Sequence, residues 1–325
     1  MNTLYPLKFR PLLKELIWGG GRITRFKGLP ERAGIGESWE ISGVEGSVSV
    51  VANGPLRGRA LDDLIGEHKS ELVGRHGYGL FGTVFPLLVK FIDCNRDVSV
   101  QVHPNDEIAK ARHNSFGKTE MWYIIEAGPG ASVLSGFARQ MTPEAYDRAV
   151  RDHDFIAYLK EHEIRPGDVF LMPSGRVHAA RAGTFFCEIQ QTSDITYRIY
   201  DYGRTGPDGK KRELHTDLAK GAIDYTVLDD YRTKYAKEPN RPVLLESTKY
   251  FTVRLLDLTE KIVRDFSMAD SFVVYVCTEG ACRISDKTGR TVAVRQGESL
   301  LVPAATAETV YVEPVGKATL LETHI

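Results

Sequence analysis

Two histidines, a glutamine and a glutamate stand at spacings that let them share one ion. Gln101 and His103 lie two apart in the alternating run Val98-Ser-Val-Gln-Val-His103. Side chains two apart leave the same face of a strand, so the two tips can converge. Glu120 heads the next apolar run, Met121 to Ile125, and His178 follows Pro173 in a stretch between strands. Two imidazoles, one carboxylate and one amide oxygen suit a borderline divalent cation, zinc ahead of manganese, iron or cobalt. The competing reading is that both histidines are ordinary polar side chains.

A second set of polar residues points to an anion. Ser99 shares the strand face of Gln101 and His103. Glu188 and Gln190 share a face of the run Thr184 to Gln190, and Thr196, Arg198 and Tyr200 share a face of theirs. An arginine aimed into a small barrel needs a partner charge. A phosphate monoester would supply one, with lysine and serine donors beside it. An internal ion pair of Arg198 with Asp194 or Asp201 is the alternative.

The elements that must position these residues are mostly strands. Thirty glycines and fifteen prolines punctuate the chain into short pieces. Ser38–Ser42, Ser47–Val51, Leu87–Ile92, Val98–Val102, Met121–Ile125, Gly167–Pro173, Thr184–Gln190 and Thr196–Tyr200 read as strands. Leu61–Gly74 reads as a short helix. Thr142 followed by Pro143 opens a helical region running towards Glu163, and Leu214–Ile223 is a further helix. Lys234–Arg241 reads as a linker. Beyond it only strands follow: Phe251–Leu258, Phe272–Val276, Cys282–Ser285, Leu300–Val302 and Thr309–Val312.

An internal repeat organises the chain. Gly167-Asp-Val-Phe-Leu-Met-Pro173 recurs as Gly297-Glu-Ser-Leu-Leu-Val-Pro303, and Trp122-Tyr-Ile-Ile-Glu-Ala-Gly128 recurs loosely as Val274-Tyr-Val-Cys-Thr-Glu-Gly280. The two offsets, 130 and 152 residues, differ by about the length of a helical insertion between Arg139 and Glu163. Two all-β units account for this. In the second copy Glu120 aligns with Phe272 and His178 with Glu308, so metal-competent residues are concentrated in the first.

These segments resemble a known family. Gly167-x5-Pro173-x4-His178 has the spacing of the second cupin motif. Gln101-Val-His103 with Glu120 resembles the first, with Gln in place of the usual first His. More narrowly, the chain is similar to type I phosphomannose isomerases of the short bacterial kind. The segments that carry this are Trp18-Gly-Gly20, Gly36-Glu-Ser-Trp-Glu-Ile-Ser42, Ser99-Val-Gln-Val-His-Pro-Asn-Asp106, Gly117-Lys-Thr-Glu-Met-Trp-Tyr123, Val177-His-Ala179 and Glu188 to Arg204. The resemblance implies a mainly β fold of two cupin-type jelly-roll barrels. Residues 1–238 would form the catalytic unit, with helical insertions near 139–163 and 212–232. Residues 239–325 would form a degenerate second barrel without metal ligands.

It further implies one zinc ion per chain, held by Gln101, His103, Glu120 and His178, beside a pocket of Lys90, Ser99, Lys118, Glu188 and Arg198. The expected reaction interconverts mannose 6-phosphate and fructose 6-phosphate through a cis-enediol. Glu188 would be the general base, Lys118 the electrostatic partner of the enediolate, and Arg198 with Ser99 and Lys90 the phosphate grip. Some longer relatives carry His where this chain has Gly117, and Tyr where it has Ala180, so roles of those side chains do not transfer. A non-catalytic sugar-phosphate binder and another metal-dependent cupin enzyme are the alternative functions.

Composition bounds the rest. The 325 residues carry 42 Lys plus Arg against 43 Asp plus Glu, a net charge of −1, which argues against nucleic acid as a partner. No apolar run reaches membrane-spanning length, and Met1 to Gly20 lacks the apolar stretch of a leader. Four cysteines without a CxxC pair fit reduced thiols and a cytoplasmic location. The expected partner is a small sugar phosphate, and the expected state a monomer or homodimer.

Overall fold

The structure is a computed structural model describing residues 4–206 and 208–325. Its strands form three sheets. The first has six, in the order Leu12–Gly20, Ile35–Ile41, Leu87–Asp93, Thr184–Gln191, Glu120–Ala127, Val169–Met172. The second has five: Tyr197–Tyr200, Val100–Val102, His178–Ala180, Ser132–Phe137, Leu159–Glu163. The third has seven, centred on Thr252–Leu258, Thr309–His324 and Val273–Ser285. All the pairings within the sheets are antiparallel, so the chain is mainly β as its punctuation requires.

Alternation along strands buried on both faces separates site from core. On Thr184–Gln191, Phe185, Cys187 and Ile189 join the core that the first sheet shares with Phe272, Val274 and Leu321 of the third. Phe186 turns the other way, into a cluster with Trp122, Ile124, Val133 and Ala180 between the first two sheets. Glu188 shares that inward parity. A one-residue slip would exchange the two sets, so both cores fix the register that places Glu188 inside.

The helices depart from the sequence reading in definite ways. Thr142 does cap a helix, accepting at Oγ1 from the Ala145 amide at 3.2 Å with Pro143 at the first turn, but the helix ends at Arg151. His153 takes φ 61°, a short 3-10 turn spans Phe155–Tyr158, and Leu159–Glu163 is a strand on Ser132–Phe137. Pairing at a sheet edge has overridden helix propensity there. Leu61–His68 and Ser70–Val73 are two helices broken at Lys69, φ 49°. Ser47–Val51 makes only isolated bridges. Between residues 212 and 232 the sole helix is Thr216–Lys220. Phe272–Val276 and Cys282–Ser285 belong to one strand, Val273–Ser285, bent by bulges beside Cys277 and Gly280. Cys277 and Cys282 therefore lie along one strand as free buried thiols, not opposite one another.

The repeat is real in the ladders but shifted from the sequence match. Glu120 pairs with Met172, and the equivalent rung in the third sheet is Val273 with Val302. Phe272 faces the shared core, whereas Val273 faces the third sheet's own interior, so Val273 stands where Glu120 stands. Gln101 opposite His178, which also pairs with Ser135, is matched by Ile262 opposite Val312, which also pairs with Ile284; Glu308 is an exposed residue before the strand. Glu188 lies between Lys90 and Trp122; Glu322 lies between Arg254 and Tyr275. Apolar Ile262, Val273 and Val312 replace three ligands. The Arg264 guanidinium closes on buried Glu322 through Nε and Nη2, each at 2.9 Å.

A fully buried carboxylate depends on that guanidinium, because losing one member of a buried pair costs about 3–5 kcal/mol. Arg264→Met is expected to destabilise the chain by about that much in urea unfolding. Adding Glu322→Gln to it should recover most of the loss.

Candidate metal centre

His103, Glu120 and His178 are buried, and one ligand atom from each lies within 4.8 Å of the others. His178 Nε2 is 3.0 Å from Glu120 Oε1, and His103 Nε2 is 3.4 Å from Glu120 Oε2. Gln101 Nε2 is 3.3 Å from His178 Nε2. The second sheet supplies Gln101 and His178 from paired strands, the first sheet supplies Glu120, and His103 directly precedes a helix start. There the Asn105 side chain accepts from the Ile108 amide at 2.9 Å, fixing the turn after His103.

The tautomers decide what these contacts are. Each ring has its Nδ1 at 2.9 Å from a backbone carbonyl, His103 from Ile195 and His178 from Arg176. A carbonyl only accepts, so each Nδ1 carries the proton and donates it. That leaves each Nε2 as the ring atom turned towards the site. Burial, with the Lys118 ammonium nearby, pushes His103 down to about 3, so its ring stays neutral. Glu120 is also an acceptor: burial opposes its charge, but neighbouring positive charge, the Lys118 ammonium foremost, outweighs that and holds it well below the usual carboxylate range. His103 Nε2 and both Glu120 oxygens are buried and face one another with no hydrogen-bond partner of good geometry, the Lys118 ammonium standing 3.3 Å from one of those oxygens. A metal ion would satisfy all three at once. For ligand atoms about 2.0–2.1 Å from a tetrahedral ion, neighbours stand roughly 3.3 Å apart, close to the spacings here. A half-turn of the Gln101 amide exchanges Nε2 for Oε1 and adds an oxygen ligand. The residues present fit a metal ion.

One cavity of about 200 Å³ opens beside this cluster. Lys90, Ser99, Gln101, Lys118, Glu188 and Arg198 all line it. The pocket residues expected from the sequence are thus brought together. Glu188 Oε2 accepts from Trp122 Nε1 at 2.8 Å, and Oε1 is 3.2 Å from Lys90 Nζ. Burial and repulsion by Glu120 push its pKa up, restrained by Lys90 and Lys118. Lys118 Nζ lies 3.3 Å from Glu120 Oε2. Arg198 makes no ion pair with Asp194 or Asp201 among the described residues; its Nη1 donates to the Glu213 carbonyl at 2.9 Å, and its Nε is buried without a partner.

The sequence reading missed Glu37 and Arg212, which also line the cavity. Glu37 Oε2 sits 3.6 Å from Lys90 and accepts from Trp39 Nε1 at 2.6 Å. Period two in Ile35–Ile41 puts Glu37 and Trp39 on one face, the signal that could have found them. Arg212 follows a hairpin with no periodicity to read. The structure also explains Gly117: a Cβ there would come within 2.7 Å of the Asp106 amide nitrogen, so no side chain fits.

Comparison with known proteins identifies the family. A model described as the catalytic domain of type I phosphomannose isomerase matches residues 7–123. Mannose-6-phosphate isomerase of Streptococcus mutans serotype c is 39% identical over 301 residues, 92% of each chain. Mannose-6-phosphate isomerase ManA of Bacillus subtilis is 38% identical over 237 residues, 73% of each. A crystal structure of mannose 6-phosphate isomerase from Bacillus subtilis superposes with a TM-score of 0.88 at 31% identity, covering 99% of this chain and 100% of that one.

Purified protein should contain about one divalent metal ion per chain by elemental analysis. His178→Ala should lose most of it, since one missing ligand leaves the remaining lone pairs too few to hold the ion. Metal content unchanged in His178→Ala would contradict the centre.

Proposed function

The chain belongs to the type I phosphomannose isomerases, and from that premise we propose that it interconverts mannose 6-phosphate and fructose 6-phosphate at a zinc centre of Gln101, His103, Glu120 and His178. The observation that carries this reading is the buried His103, Glu120 and His178 cluster, joined through Gln101 and Lys118 to a cavity that also holds an elevated carboxylate and several cations. Zinc, when bound, would act as a Lewis acid towards the sugar's O1 and O2 oxygens.

The chain's own side chains supply the rest of the chemistry. Glu188 is the general base, taking the proton from C2 and returning it at C1, or the reverse, while the hydroxyl proton passes between O2 and O1 of the enediol. Trp122 Nε1 orients its carboxylate from one side and Lys90 from the other. Its raised pKa suits proton exchange with carbon, because a carboxylate of ordinary acidity is a weaker base. Lys118 offsets negative charge on the enediolate. Arg198 holds the phosphoryl group with Ser99. Lys90 has three N–H donors and two carboxylate partners, Glu37 and Glu188, which leaves one donor for substrate. Holding the remote phosphate positions C1 and C2 over Glu188.

On the same reading, residues 1–238 are the catalytic unit. Residues 239–325 take no metal, because Val273, Ile262 and Val312 stand in the places of Glu120, Gln101 and His178. The location is the cytoplasm, where the sugar-phosphate substrate and reduced thiols occur together.

Glu188→Gln keeps the Trp122 contact but cannot take a proton. It is expected to lower turnover by about a hundredfold to ten-thousandfold. Exchange of the C2 proton with solvent should vanish while bound metal is unchanged. Retained exchange, followed by proton NMR in deuterated water, would remove Glu188 from the role.

A further inference from the structure

The cavity's far wall carries more positive charge than its own carboxylates neutralise. Asp201, buried at the end of strand Tyr197–Tyr200, is shared by two arginines. Arg204 Nη2 donates to its Oδ1. Arg212 donates from Nε to Oδ2 at 2.8 Å and from Nη2 to Oδ1. Arg198 adds a third guanidinium with no carboxylate partner among the described residues and a buried, unpartnered Nε. Of the acids that line the cavity, Glu37 and Glu188 are paired with Lys90, and Asp194 is exposed and forms no ion pair among the described residues.

Arg212 differs from Arg204 in where its unused edge points. Arg204 donates its Nη1 to the Asp97 carbonyl, whereas Arg212 lines the cavity with a quarter of its side chain exposed. Asp201 grips the Nε and Nη2 edge of Arg212, so Nη1 has no protein partner among the described residues. A bridge pairs Thr205 with Lys211, and Gly206 donates to the Lys210 carbonyl at 2.7 Å, setting the chain immediately before Arg212. Arg198 and Arg212 are close enough that the latter's charge helps burial push Arg198 below the ordinary arginine value. Two such groups held side by side are stabilised by a dianion between them.

We propose that Arg212 is a second phosphate-binding arm of the site, pre-aimed by Asp201, and that it and Arg198 together clamp the phosphoryl group of the substrate. This rests on the isomerase reading and extends it to a residue outside the strand that carries Arg198. Asp201 is a positioning residue: it holds one edge of the Arg212 fork so that the other edge meets the anion already oriented. The clamp acts on the unreacting end of the sugar, so it belongs to binding more than to proton transfer.

The test is steady-state kinetics with mannose 6-phosphate on the full-length, metal-replete protein, with orthophosphate as competing inhibitor. Arg212→Gln should raise KM roughly tenfold or more, the effect of one charge-assisted contact, with kcat changed by less than about threefold. The orthophosphate inhibition constant should rise by a similar factor, and metal content should not change. Arg212→Lys keeps the charge without the fork and should recover part of the loss. It also decides the matter if the glutamine variant fails to fold, in which case KM equal to wild type in Arg212→Lys overturns the clamp. In a folded Arg212→Gln, unchanged KM and orthophosphate inhibition, or a fall in kcat alone, overturns it too. Should the wild-type chain show no isomerase activity, the isomerase reading fails. Calorimetric titration of orthophosphate into wild type and Arg212→Gln then tests the arm separately, equal binding sinking it.

Discussion

Three buried groups turn ligand atoms towards one point, and everything near the cavity follows from that. His103 and His178 each donate Nδ1–H to a carbonyl, at 2.9 Å in both cases, and so turn Nε2 inward. Glu120 brings a buried negative charge to the same point, with Lys118 Nζ 3.3 Å away. A metal ion bound there would be a strong tie between the two sheets that supply the cluster. The carbonyls of Ile195 and Arg176 are therefore as much part of the centre as the rings, because they choose the tautomer.

The fold makes such a cluster possible by dividing the labour of each strand between two faces. The central strands of the first sheet are buried on both sides, one against the third sheet and one towards the cavity. The outer core sets the register, and the inner face is then free to carry Glu120, Glu188 and Lys90 at positions where polar groups are otherwise costly. Those charges neutralise one another locally: Glu37, Lys90 and Glu188 form a chain, and Lys118 stands beside Glu120. In the third sheet Glu322, on the rung that matches Glu188, pairs with Arg264, an internal cation.

Much of this was legible in the sequence, for a physical reason. Period two is readable wherever one face is polar, as in Ser99, Gln101 and His103, and again in Glu188 and Arg198. The candidate ligands and pocket residues could be grouped from that pattern, and the structure brings His103, Glu120 and His178 together and places Gln101 with the pocket residues around one cavity. What was not legible depended on tertiary contacts. Leu159–Glu163 lies next to a good helix and becomes a strand because an edge is available to it. The counterpart of Glu120 was misplaced by one residue, since a local match of apolar letters is blind to which core each residue faces. Arg212 had no pattern at all: it reaches the cavity from a hairpin, and only Asp201 reveals why it is there.

The central claim is that a bound metal ion makes this cavity an isomerase. The most direct measurement is a coupled assay converting mannose 6-phosphate to fructose 6-phosphate on protein whose metal content has been determined. It is run after graded chelation and again after zinc is returned. The account predicts activity proportional to the fraction of chains carrying metal, near zero when stripped and restored by zinc. Full activity in metal-free protein would contradict it.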